Sequence, residues 1–129
     1  MYHNVPLTAL SPEDGSVKWS LPLGVNDHCF SSPAIGVDGN LYVATQPGIL
    51  YAVSHEGLLL WTFDIATAGF SGTFRSSPSV GSDGSIYFGL NNGSPSSAFF
   101  AINSDGTLKW IFTPEDLPDN VPRDHFDIY

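Results

Sequence analysis

Apolar and polar positions alternate along much of this chain, and glycine-centred breaks punctuate the alternation at regular intervals. Successive side chains of a strand point to opposite faces, so a period of two marks a half-buried β-strand. Between Ser31 and Trp61 the pattern predicts four short strands: Pro33–Val37, Leu41–Ala44, Ile49–Val53 and Leu58–Phe63. Pro33 stands at the start of the first, where a missing ladder donor is tolerated. Asp38-Gly39, Gly48 and His55-Glu56-Gly57 supply the intervening turns, because glycine accepts a positive φ at no steric cost. Four antiparallel strands joined in this way make one small sheet.

The chain then repeats the pattern. Ser31-Ser32-Pro33-Ala34-Ile35-Gly36-Val37-Asp38-Gly39-Asn40-Leu41-Tyr42-Val43 returns as Ser76-Ser77-Pro78-Ser79-Val80-Gly81-Ser82-Asp83-Gly84-Ser85-Ile86-Tyr87-Phe88, at an offset of 45. Leu50 to Trp61 returns as Phe99 to Trp110, and the four extra residues fall between Asn91 and Ser97. Leu7 to Trp19 is a third copy, of the second half alone and with one residue more. Gly15 and Trp19, Gly57 and Trp61, and Gly106 and Trp110 share one spacing. A period in the mid-forties with two-residue alternation and glycine turns is the signature of a β-propeller blade.

The expected fold is therefore all-β, a partial β-propeller of four-stranded antiparallel blades. Residues 5–23 are expected to form a half blade, and residues 30–64 and 75–113 two full blades. The turn glycines are Gly15, Gly39, Gly57, Gly84 and Gly106. Residues 114–129 read as an acidic, Pro-rich linker followed by a C-terminal strand or tail. Asp124 to Tyr129 falls where the inner strand of another unit would begin.

The Ser-Ser-Pro start, the Val-Asp-Gly-Asn-Leu-Tyr-Val hairpin and the Ala-x-x-x-x-Gly-x-x-x-Trp end, at Ala52 to Trp61 and Ala101 to Trp110, closely resemble PQQ-like, or quinoprotein-type, β-propeller repeats. The resemblance covers nearly everything from Leu7 to Phe112. It implies that the outer-strand tryptophans Trp19, Trp61 and Trp110 dock each blade on its neighbour; their identical spacing from Gly15, Gly57 and Gly106 predicts that they are largely buried. Members of that family include dehydrogenases that bind pyrroloquinoline quinone, scaffolds of outer-membrane protein assembly, and surface or secreted proteins, and their usual home is outside the cytoplasm. The dehydrogenases share an eight-blade ring, an adjacent cysteine pair and calcium-ligating carboxylates. Here Cys29 is the single cysteine, so no cofactor site carries over to any residue and no cofactor is expected.

Charge and candidate chemistry narrow the function classes. Four basic against thirteen acidic residues give a net charge of −9, which disfavours nucleic acid and anionic membrane surfaces, both of which recruit Lys and Arg. No apolar run approaches a membrane span, and Met1 to Pro6 has neither the basic start nor the apolar stretch of a signal peptide. His28-Cys29 lacks a second ligand pair at metal spacing and a base positioned for nucleophilic use. The Asp-Gly pairs at Asp14, Asp38, Asp83 and Asp105 lack the alternating carboxylates and later Glu of a calcium loop, and read as hairpin turns. Glu115, Asp116 and Asp119 read as a solvated linker, and Asn92-Gly93-Ser94 as a plain turn. Ser31-Ser32 and Ser76-Ser77 have no His or Asp at equivalent repeat positions, and their equivalence points to structure.

Three functions are thus open. The favoured one is a non-enzymatic module for protein binding or scaffolding, because no catalytic constellation is present. A lectin-like propeller would use Tyr42, Tyr51, Tyr87, Phe99 and Phe100, most of which the alternation assigns to the core. A fragment of a quinoprotein dehydrogenase is disfavoured by the missing ligands. Propeller rings take four to eight blades, so about two and a half blades leave apolar flanks to be covered. The partner expected there is a second copy, as a homodimer of five or six blades, or the rest of a larger propeller.

Overall fold

The computed structural model describes residues 6–24, 32–46, 48–72, 74, 76–90 and 97–113. Among these residues ten strands form three antiparallel sheets. The first is a hairpin of β1 (Leu7–Leu10) and β2 (Val17–Leu21). The second is a meander of β3 (Ala34–Ile35), β4 (Leu41–Thr45), β5 (Ile49–Val53) and β6 (Leu59–Asp64). The third repeats that order with β7 (Ser79–Val80), β8 (Ile86–Leu90), β9 (Ala98–Ile102) and β10 (Leu108–Phe112). Among the described residues no helix is long and apolar enough to cross a membrane.

The strand registers superpose between sheets. Ala9 lies opposite Trp19, Ala52 opposite Trp61 and Ala101 opposite Trp110, a methyl facing an indole in each hairpin. Each hairpin also has a break in register beside that pair, at Ala9/Leu10, Ala52/Val53 and Leu108/Trp110. Such a bulge sharpens the local twist and re-aims side chains.

The core lies where the second and third sheets face each other. Tyr42, Ala44, Leu50 and Ala52 of the second meet Ile86, Phe88, Phe100 and Ile102 of the third. Phe88 stacks on Phe100 at 5.1 Å, and Phe63 meets both rings edge-on. β4 and β5 are buried at four successive positions. Alternation alone would bury every second one; the middle sheet has a neighbour on each side, and both its faces are covered.

Two details depart from the strand pattern. The inner strands β3 and β7 hold two residues each, fewer than the five of Pro33–Val37. Gly36 N–H donates to the Asn40 carbonyl and Gly39 N–H to that of Gly36, so the turn begins at Gly36 and leaves Val37 in solvent. After β6 the chain makes one 3-10 turn at Ile65–Ala68, capped by the Asp64 carboxylate on the Ala66 N–H. Ile65 is buried there against Gly48, where an added Cβ would stand 2.7 Å from Ile65 Cδ1.

Candidate functional site

The repeat-equivalent side chains converge on the boundaries between sheets. The Trp19 indole on β2 crosses to the second sheet, where its Nε1 donates to the His55 carbonyl at 2.9 Å. The ring lies flat on Gly57: a Cβ added there would stand 2.7 Å from Trp19 Cδ2. Trp61 on β6 repeats the contact one sheet on, with Nε1 donating to the Ser104 carbonyl at 3.0 Å and a Gly106 Cβ position 2.8 Å from its Cδ2. Glycine is required at both places twice over, for ring clearance and for φ of 87° and 92°. Each acceptor stands two residues before its glycine, in a turn closed by two backbone hydrogen bonds: Ser54 N–H to the Leu58 carbonyl and Gly57 N–H to the Ser54 carbonyl, or Asn103 N–H to the Thr107 carbonyl and Gly106 N–H to the Asn103 carbonyl.

Among the described residues, Trp110 and Gly15 are the two members of this series left uncovered. Trp110 is 41 % exposed, and nothing lies within 4 Å of a Cβ added at Gly15. Burial of the tryptophans is thus lower than expected. Trp19 and Trp61, on the outer strands β2 and β6, are half-buried. Trp110 has no turn beneath it among the described residues. Below the indoles, Tyr42 packs on Trp61 at 5.9 Å and 39°, and Tyr87 on Trp110 at 6.0 Å and 41°. Phe99 joins the second stack, 6.2 Å from Trp110 and 6.5 Å from Tyr87.

The turn carboxylates are all engaged with their own loops. Asp14, Asp38, Asp83 and Asp105 each accept from the backbone N–H two residues on, at 3.0 Å. Asp14 and Asp105 are held below the ordinary carboxylate range, Asp14 mainly by the Ser16 amide and Asp105 mainly by the Thr107 hydroxyl. Asp83 is pulled down to about 2, first by the Ser85 amide and then by Lys109. The Lys109 ammonium lies 3.1 Å from Asp83 Oδ2 and 2.9 Å from Ser85 Oγ. That bridge between β10 and the β7–β8 turn escaped the sequence reading; its one signal was a lysine just before the tryptophan at Lys18 and Lys109.

Ser32, Ser76 and Ser77 also serve the scaffold, while Ser31 lies outside the described residues. Ser76 Oγ donates to the Gly89 carbonyl and accepts from the Gly89 N–H, and Ser77 Oγ accepts from the Ser32 N–H of the second sheet. Gly39 and Gly84 occupy the β3–β4 and β7–β8 turns with φ of 84° and 87°. Among the described residues no three His, Cys, Asp or Glu side chains gather as a metal site. His28-Cys29, Asn92 to Ser94, the acidic group Glu115, Asp116 and Asp119, and Asp124 to Tyr129 lie outside the described residues.

No family model matches the sequence, and no curated protein sequence matches it. Solved structures do resemble the fold, two of them as follows. One is a protein of unknown function from Bacteroides caccae, with a TM-score of 0.64 and 19% identity, covering 86% of this chain and 37% of that one. The other is BamB from Moraxella catarrhalis, a β-propeller, with a TM-score of 0.58 and 20% identity over 76% of this chain and 28% of that one. The chain is a partial β-propeller. Among the described residues its sheets are one two-stranded hairpin and two four-stranded blades, and the chain spans well under half the length of either relative. At these identities the likeness concerns the fold.

Proposed function

We propose that this chain is a non-catalytic β-propeller repeat module of the PQQ-like type, which binds or scaffolds other proteins and assembles with copies of itself. In this reading Trp19, Trp61 and Trp110 are the blade-docking residues, and Gly15, Gly57 and Gly106 the surfaces they dock on. One observation carries it. The polar and aromatic residues that recur at equal spacing are used on the scaffold, the Trp19 and Trp61 indoles on neighbouring backbone and the four turn aspartates on their own loops. A repeat that invests its recurring polar groups in rigidity presents variable loops on a fixed frame. Of the aromatic residues a sugar site would use, Tyr42, Tyr51 and Phe100 are buried, which favours protein over glycan.

The test has three arms. Titration with pyrroloquinoline quinone should leave the cofactor's absorption spectrum unshifted, and a glycan array should show no saturable binding. Cross-linking in cells that express the chain should join Lys18 or Lys109 to another protein chain. Saturable binding of a glycan or of the quinone would overturn the reading.

A further inference from the structure

Resting on that scaffold reading, we propose that the uncovered Trp110 face is a docking knob for a second copy of this chain, and that its socket is the Gly15 turn of that copy. The two internal blade contacts define what the socket must be. Each consists of a glycine at positive φ under the ring and a carbonyl two residues earlier to receive the indole N–H. Gly15 has a φ of 75° and open space where the ring would lie. Its turn is closed in the same manner, Ser11 N–H to the Ser16 carbonyl and Gly15 N–H to the Ser11 carbonyl, one residue longer than the other two. By position, Glu13 supplies the carbonyl that His55 and Ser104 supply inside the chain.

The flanking apolar residues match as well. Tyr87 and Trp110 reproduce the Tyr42–Trp61 stack within 0.1 Å and 2°, yet Tyr42 is 2 % exposed under the next blade while Tyr87 is half-buried. On the socket side, Leu10 follows Ala9 as Val53 follows Ala52 and Ile102 follows Ala101. Val53 and Ile102 are fully buried; Leu10 is 56 % exposed. Among the described residues, one face is therefore a blade surface with no next blade on it, and the other has no previous one. The two halves of one repeated interface fit each other, and two such contacts close a cyclic pair where an unclosed series would grow into fibres.

Sedimentation velocity over a concentration series tests this with three proteins. Trp110→Ala removes the knob. Gly15→Asn fills the socket at a position where no atom of the described residues lies within 4 Å, and asparagine tolerates the left-handed conformation. The unaltered chain should self-associate, and each variant should weaken association about thirtyfold or more, as truncating a central aromatic anchor does. An equimolar mixture of the two variants should associate more tightly than either alone, because one intact Trp110–Gly15 contact survives in a mixed pair. Circular dichroism should show the folded spectrum for both; if Trp110→Ala loses it, Gly15→Asn decides alone. An unaltered chain that stays monomeric, association indifferent to both changes, or a mixture no tighter than its parents would overturn the inference. A positive glycan or quinone result beside variant-sensitive association would sink only the functional reading.

Discussion

An indole N–H that leaves water needs an acceptor, and here the acceptor is main chain, in a turn one blade away. Trp61 combines that bond with ring contact on Gly106 and Tyr42. Because it is half-buried, Trp61→Ala should cost somewhat less than a full core truncation, about 2–3 kcal/mol. Trp110→Ala, measured on dilute protein, should cost under about 1 kcal/mol, since its docking face is open. Urea unfolding of the two variants makes the comparison. Asp83 gives a second residue-scale expectation. Its carboxyl is lowered from 3.8 to about 2 by the Ser85 amide and Lys109. A carboxyl whose folded pKa is depressed stabilises the fold above its unfolded pKa, and that contribution fades as pH falls toward the folded value. The stability gap between the unaltered chain and Asp83→Asn should therefore be constant above about pH 4 and shrink between there and about pH 2. Thermal melts across that window check it; a gap that widens on acidification would contradict the Lys109 bridge.

At the scale of elements, the turns carry the strictest demands. Gly57→Ala sets a methyl against the Trp19 ring as well as straining a φ of 87°. Gly15→Ala meets strain alone, with nothing within 4 Å. The first should cost about 2–4 kcal/mol, summing backbone strain and overpacking, and the second about 1–2 kcal/mol. Chemical denaturation of both variants decides; equal losses would mean that the ring does not rest on Gly57. These elements were largely legible from the alternation and the glycines, which position β4, β5, β8 and β9 and all three outer hairpins. The short inner strands were not, because the backbone bond from Gly36 to Asn40 closes the turn early and leaves no trace in polarity. Nor was the 3-10 turn at Ile65–Ala68, whose one buried residue has no period. The acceptors of the indoles are carbonyls, which every residue has, so His55 and Ser104 could not be singled out by side-chain type. Spacing placed Trp110 beside Trp19 and Trp61 correctly within a blade, but burial depends on a neighbour, and spacing is silent about neighbours.

At the scale of the molecule, two blade boundaries among the described residues are closed by the same clamp, and two blade faces carry matching halves of it uncovered by those residues. Each copy carries a charge of −9, so like-charge repulsion opposes pairing at low ionic strength and is relieved by salt. Apolar docking between copies should accordingly tighten as salt is raised. The most direct measurement is hydrogen exchange of the three indole N–H groups by NMR, each assigned with its Trp→Phe variant. At low protein concentration the Trp19 and Trp61 indoles should exchange slowly, held by His55 and Ser104, and the Trp110 indole fast. Raising the concentration should slow Trp110 and leave the other two unchanged. Trp19 and Trp61 protons exchanging as fast as that of Trp110 in dilute solution would contradict the clamps on which the propeller rests.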